Sequence, residues 1–159
     1  MPGHLPWWLC LIARRIGTQR SVVCAAPANL DQRGRPTSVE ELVKHDCLAF
    51  ANDGRPLPWT VCDPDGLVRL FVIQPRHAVS HGEALRDATV KGLRLAYLST
   101  WLAADDLRSG RLEMVPVATP AEDVPITVLW PRSRDLAPKV WVVFDALVEA
   151  FIPTHLTDL

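Results

Sequence analysis

Residues 20–50 read RSVVCAAPANLDQRGRPTSVEELVKHDCLAF, and the fold is decided in this stretch. Val22, Val23 and Cys24 form a short apolar run, read as a strand. Pro27 follows. Its missing N–H and fixed φ suit the first turn of a helix, and Gly34 is placed to end that helix. Thr37 opens a second start signal, and Cys47–Phe50 is a second apolar run. Strand, helix and strand therefore alternate within thirty residues, and the chain leaves the first strand for a new layer of structure.

Working outward, the same alternation continues. Strands are predicted over 20–25, 46–50, 58–62, 67–73, 75–79, 93–98, 111–115 and 125–130. Helices are predicted over 27–33, 39–44, 82–91, 100–108 and 138–152. The pattern favours an α/β fold with a mixed or parallel sheet. Ser80-x-x-Glu83 and Thr37-x-x-Glu40 have the form of capping boxes, in which hydroxyl and carboxylate each satisfy the other residue's amide. Gly92 is a suitable residue to follow the 82–91 helix. In the last helix, Val140, Phe144, Leu147, Val148 and Phe151 recur on one face, which marks it as a packing element.

Nearly half of the 159 residues are apolar, enough for a sizeable core, and the net charge is −1. That balance lacks the clustered basic excess of a nucleic-acid-binding surface. The apolar run Trp7–Ala13 is too short to span a bilayer. Arg14 and Arg15 follow it, whereas a secretory leader carries its charges in front. A soluble cytoplasmic chain with no membrane partner is expected. Cys10, Cys24, Cys47 and Cys62 include no C-x-x-C pair or zinc spacing, and buried reduced thiols are the expectation.

Several short motifs, in this order and spacing, resemble the C-terminal effector-binding (substrate-binding) domain of LysR-type transcriptional regulators. They are Leu11-Ile-Ala-Arg-Arg-Ile-Gly17, Val22-Val-Cys-Ala-Ala-Pro27, Gly34-Arg-Pro36, Leu42-Val-Lys-His-Asp-Cys-Leu48 and Pro58-Trp59. Gly82-Glu-Ala-Leu85, Gly92-Leu93, Asp106-Leu-Arg-Ser-Gly-Arg-Leu112, Trp130-Pro131, Ala137-Pro-Lys-Val140 and Phe144-Asp-Ala-Leu147 complete the set. The resemblance implies a periplasmic-binding-protein-like (type II) fold of two α/β lobes with a small organic effector between them. It places 1–26 and 124–159 in a partial first lobe and 27–123 in the second lobe. Ala26, Pro27 and Trp130 are then the expected hinge. It also implies that the first lobe is incomplete, that the chain is truncated at its N-terminus, and that DNA is reached only through a helix-turn-helix domain absent from this chain. A homodimer is the implied assembly. Relatives often carry Tyr at Asn29, Gly at Arg94 and Pro at Ser99, so the chain departs from the pattern there.

The effector-binding residues are expected at two helix starts, Ser80-His81-Gly82 and Ser99-Thr100. A helix N-terminus presents unpaired amides and partial positive charge, which suits a carboxylate. Ser80 and Glu83 capping their helix is the plainer role, and the two are compatible. His77 and His81 are four apart, but the segment reads as extended up to Ser80, so they share no helical face and no metal site is expected. No nucleophile elbow, metalloprotease motif or nucleotide fingerprint occurs, so no catalytic residue, enzyme activity or cofactor is expected. Two further readings stay open: a solute-binding protein of the same fold, and an interaction remnant without ligand. Trp59 is expected in the core of the second lobe, and Trp7 with Trp8 on an exposed apolar patch.

Overall fold

A computed structural model describes residues 11–62, 67–117, 119–120, 124–132 and 138–151. Trp7, Trp8 and Cys10 lie outside these residues. The described chain divides into two units between Gln19 and Arg20 and between Asp123 and Val124.

The first unit contains β1 (Leu11–Gln19) and β11 (Val124–Pro131), paired antiparallel from Leu11 opposite Pro131 to Gln19 opposite Val124, with an irregularity between Arg15 and Gly17. Strand β1 was not expected; its sequence, LIARRIGTQ, has no sustained alternation, and its partner lies more than a hundred positions away. Helix α4 (Pro138–Phe151) packs on this pair through its aromatic residues. Trp130 meets Phe144 edge-on at 5.5 Å and Trp141 at 6.4 Å between ring centres, and the Arg14 guanidinium lies 4.8 Å over the Phe144 ring. The apolar face expected of α4 is only partly buried. Phe144 is 6 % exposed, but Val140 is 39 % and Leu147 36 % exposed.

The second unit is built on a mixed sheet. Its strands are β2 (Ser21–Ala25), β3 (Cys47–Asn52), β4 (Arg55–Pro56), β7 (His77–Val79), β8 (Leu95–Ser99) and β9 (Glu113–Met114). The order is β4-β3-β8-β2-β9, and β7 joins β3. Strands β3, β7 and β8 run parallel; β2 is antiparallel to both β8 and β9. Alternate side chains feed two cores, as the two-residue strand period requires. Val23, Ala25, Ala49 and Leu95 face one core with Leu30, Trp59 and Val61; Cys24, Leu48, Ala96 and Leu98 face the other with Leu85 and Ala103. Both faces being covered explains the continuous apolar runs in the sequence.

Helix α1 (Pro27–Arg33) covers the first core through Leu30, and α2 (Gly82–Val90) and α3 (Thr100–Arg108) cover the second through Leu85 and Ala103. A three-stranded antiparallel sheet of β10 (Thr119–Pro120), β5 (Trp59–Cys62) and β6 (Val68–Phe71) is tied to the main sheet by the Tyr97 hydroxyl, which donates to the Thr60 carbonyl at 2.7 Å. Strands β3 and β4 are joined by Asp53 and Gly54, both at positive φ (48° and 74°), the geometry of a tight hairpin turn. Where a helix was expected over 39–44, Glu40–Lys44 form a 3-10 turn whose start uses Glu41, not Glu40: the Thr37 amide and hydroxyl donate to Glu41 Oε2 at 2.7 and 3.0 Å. Those two bonds hold the Glu41 carboxyl below the usual range.

Helix α2 ends as expected at Gly92. Its amide donates to the Thr89 carbonyl at 2.9 Å and the Leu93 amide to the Ala88 carbonyl at 3.1 Å, the paired bonds of a Schellman closure. Gly92 has φ of 76°. A methyl group there would meet Ala26 Cβ at 3.9 Å, ordinary contact, so a substitution meets conformational strain and no clash. Asn29 fixes this corner by donating to the Gly92 carbonyl at 3.0 Å. Gly92→Ala is expected to lower unfolding stability by about 1–2 kcal/mol in a urea titration; an unchanged midpoint and slope would mean that the closure relaxes freely.

Ala26 is buried just ahead of α1, and Pro27 is its first residue; both lie inside the second unit. Trp130 lies inside the first.

Candidate functional site

The site is assembled at one edge of the second unit's sheet. Strands β7, β3 and β8 are parallel neighbours, so all three carboxyl ends point to that edge. Strand β7 runs into Ser80-His81 and then α2; β8 ends at Ser99 and runs into α3. The carboxyl end of β3 lies between them, which separates the two helix starts by about 10 Å, two strand spacings. The helices close that gap. A Cβ on Gly82, the first residue of α2, would lie 3.3 Å from Leu102 Cδ2 on α3, so the first turns of the two helices approach each other. A methyl group at Gly82 would need the Leu102 side chain to give by a few tenths of an ångström.

The five expected residues are thus brought to one edge, with different exposures. Ser80 and His81 are exposed, Gly82 and Ser99 half-buried, and Thr100 buried. The Ser80–Glu83 capping box does not form. His81 takes the N-cap position with extended backbone angles, its carbonyl accepting from the Leu85 amide at 3.0 Å, and no side chain caps α2. The pattern of the box is present, but the helix starts one residue later than it requires. Ser99 is the N-cap of α3, also without a side-chain cap. The Thr100 amide donates to the Arg20 carbonyl at 2.8 Å, and Ser21 pairs with Ser99, so the strand that enters this unit begins at the same edge. The contribution of Arg20 comes through its backbone and left no signal in the sequence.

Electrostatically, two helix N-termini point their partial positive charge at this edge. The first turn of α2 carries Glu83, whereas that of α3 carries no acid. Convergence at the carboxyl ends of parallel strands is the usual position of ligands in open α/β sheets.

His77 lies exposed on β7 and His81 at the start of α2, so they share no helical face. Among the described residues, no group of three or more His, Cys, Asp or Glu side chains could hold a metal ion. Cys24 and Cys47 are buried free thiols. Burial, assisted by Asp106, pushes the Cys24 thiol up to about 12, and burial with Asp46 does the same for Cys47. Neither is a nucleophile at neutral pH. Asp106, 4 % exposed, joins the helices below the site: Arg111 Nη2 lies 2.7 Å and Arg86 Nε 3.7 Å from its carboxylate.

The profile of the LysR substrate binding domain family matches residues 4–152. The HTH-type transcriptional regulator CrgA of Neisseria meningitidis serogroup C (strain 8013) is 32% identical over 140 residues, covering 87% of this chain and 46% of that protein. The HTH-type transcriptional activator AaeR of Escherichia coli (strain K12) is 27% identical over 89% of this chain and 46% of its own length. The chain therefore spans about half the length of these curated relatives, all of which are named as regulators and not as enzymes. Among solved structures, the CrgA regulatory domain from Neisseria meningitidis superposes with a TM-score of 0.79 at 30% identity, over 89% of this chain and 69% of that one. The regulatory domain of AphB in Vibrio vulnificus shares the fold with a TM-score of 0.76 at 23% identity, over 89% and 68%. The mixed α/β architecture agrees with these neighbours, and the chain belongs to the LysR substrate-binding domain family.

Proposed function

We propose that this chain is the effector-sensing part of a LysR-type transcription regulator and that it binds a small organic molecule bearing a carboxylate. The observation that carries the reading is the approach of two helix N-termini at carboxyl strand ends on either side of β3, with Gly82 packed toward Leu102. The helix dipoles at Ser80–Gly82 and Ser99–Thr100, with first-turn amides other than that of Thr100, would hold the carboxylate, and His81 would contribute an exposed ring beside it. The bound state would be passed to DNA through a helix-turn-helix domain; the family match already accounts for residues 4–152 of these 159. Ala26, Pro27 and Trp130 are the proposed hinge positions, and a cytoplasmic homodimer the proposed setting. No helix among the described residues is long and apolar enough to cross a membrane.

A thermal-shift screen of small carboxylates and aromatic acids tests the reading. A ligand present at a hundred times its Kd stabilises the folded chain by about 2.7 kcal/mol and raises Tm accordingly. Folded protein that no member of such a panel stabilises would contradict it.

A further inference from the structure

Ser21 and Ser99 are direct cross-strand partners on β2 and β8, and Val23 with Tyr97 is the next pair on the same face. Val23 lies in the first core and Tyr97 packs against it. The two serines carry that face beyond the core to the sheet edge where α3 begins, and both are half-buried. Ser99 takes the N-cap position of α3, where serine ordinarily caps, yet its hydroxyl makes no cap. Tyr97 stands diagonal to Ser21, a separation that an aromatic side chain reaches across, and the two hydroxyls are hydrogen-bonded. Proton count sets the direction of that bond. A phenol has one proton, and Tyr97 donates its own to the Thr60 carbonyl at 2.7 Å. Tyr97 therefore accepts, Ser21 donates its only proton, and the Ser21 oxygen keeps lone pairs alone for any further partner.

We propose, resting on the carboxylate reading above, that the effector is a hydroxy acid whose hydroxyl donates to Ser21 while its carboxylate faces the start of α3. Opposed residues of an antiparallel pair, as Ser21 and Ser99 are, have Cα atoms about 4.5–5.5 Å apart. A hydroxyl on the carbon next to the carboxylate, or on the one after it, spans that separation. An ammonium group would also donate, but the surroundings oppose it. The first turn of α3 carries no acid, and the positive end of the helix dipole repels a cation. A ligand without a donor leaves the Ser21 lone pairs unmatched in a half-buried position. A site built around a substrate hydroxyl rejects the analogue that lacks it for this reason. Ser21 is then the specificity-determining contact, and Tyr97, which acts through it, is a positioning residue. Neither is among the residues assigned above to hold the carboxylate.

Calorimetric titration of the full chain with matched acids tests this: mandelate against phenylacetate and lactate against propionate, with phenylglycine and alanine as the amino counterparts. In at least one pair the hydroxy acid should bind about tenfold or more tighter than its deoxy partner. Ser21→Ala should remove that preference and leave the affinity for the deoxy acid unchanged, whereas Ser21→Thr, which keeps the hydroxyl, should retain it. Tyr97→Phe, which frees the Ser21 proton, should weaken the preference without weakening the deoxy acid. Equal binding of hydroxy and deoxy acids in both pairs overturns the proposal. So does an amino acid that binds tighter than its hydroxy counterpart, or a preference that survives Ser21→Ala. In those cases the deoxy acids still bind, and the carboxylate reading stands. If none of the six acids binds, the proposal and that reading fall together.

Discussion

Trp59→Ala should lower the stability of the second unit by about 3–5 kcal/mol, the range for removing a fully buried large aromatic side chain. Trp59 is 2 % exposed. Its ring stacks on Tyr97 at 5.8 Å and 27° and meets Phe71 at 6.3 Å, and it shares a core with Val61 and Leu95. It therefore holds the small three-stranded sheet against the main one. The Tyr97–Thr60 hydrogen bond crosses the same junction. Urea unfolding followed by tryptophan-independent far-UV circular dichroism would measure the loss. A cost below about 1 kcal/mol, typical of surface substitutions, would show that the two sheets are held by other contacts.

Local elements were legible where a residue's own chemistry sets the boundary. Pro27 and Gly34 bracket α1 as read, because a proline at N1 and a glycine at φ of 88° act within a single turn. Gly92 closes α2 for the same reason. The family was legible because many short motifs occur in a fixed order, and residues 4–152 match it as a whole. The two turns proposed to hold the effector were read as helix starts, which they are. Their adjacency was not legible, since it depends on β3, over twenty-five residues upstream, lying between β7 and β8.

Other misreadings have physical causes. Strand β1 has mixed composition because its pairing with β11, rather than burial on alternate sides, defines it. The Ser80–Glu83 pattern failed because four residues of local sequence do not decide which backbone carbonyl begins the helix, and here it is that of His81. The stripe on α4 was real, but α4 is apolar well beyond one face, so periodicity overstated how much of it is buried within its own unit.

His81→Asp should abolish most ligand binding while leaving the fold intact. Aspartate is among the best N-cap residues, and His81 already has the extended backbone angles of an N-cap without a side-chain cap. Its carboxylate would accept from the first-turn amides of α2 and favour the positive end of the helix. The same carboxylate would occupy the donors proposed for the ligand and repel a second anion. The expected loss is at least about tenfold in affinity, equivalent to 1.4 kcal/mol, with unchanged or slightly raised stability of the unliganded chain. This combination separates loss of binding from loss of folding, which substitution of the buried Thr100 could not do.

The most direct test is isothermal titration of wild type and His81→Asp with the carboxylate that stabilises the wild-type chain best. Binding that falls at least about tenfold in a variant with an undiminished Tm would place the ligand at the helix starts of α2 and α3. Equal affinity in the two proteins would contradict the site.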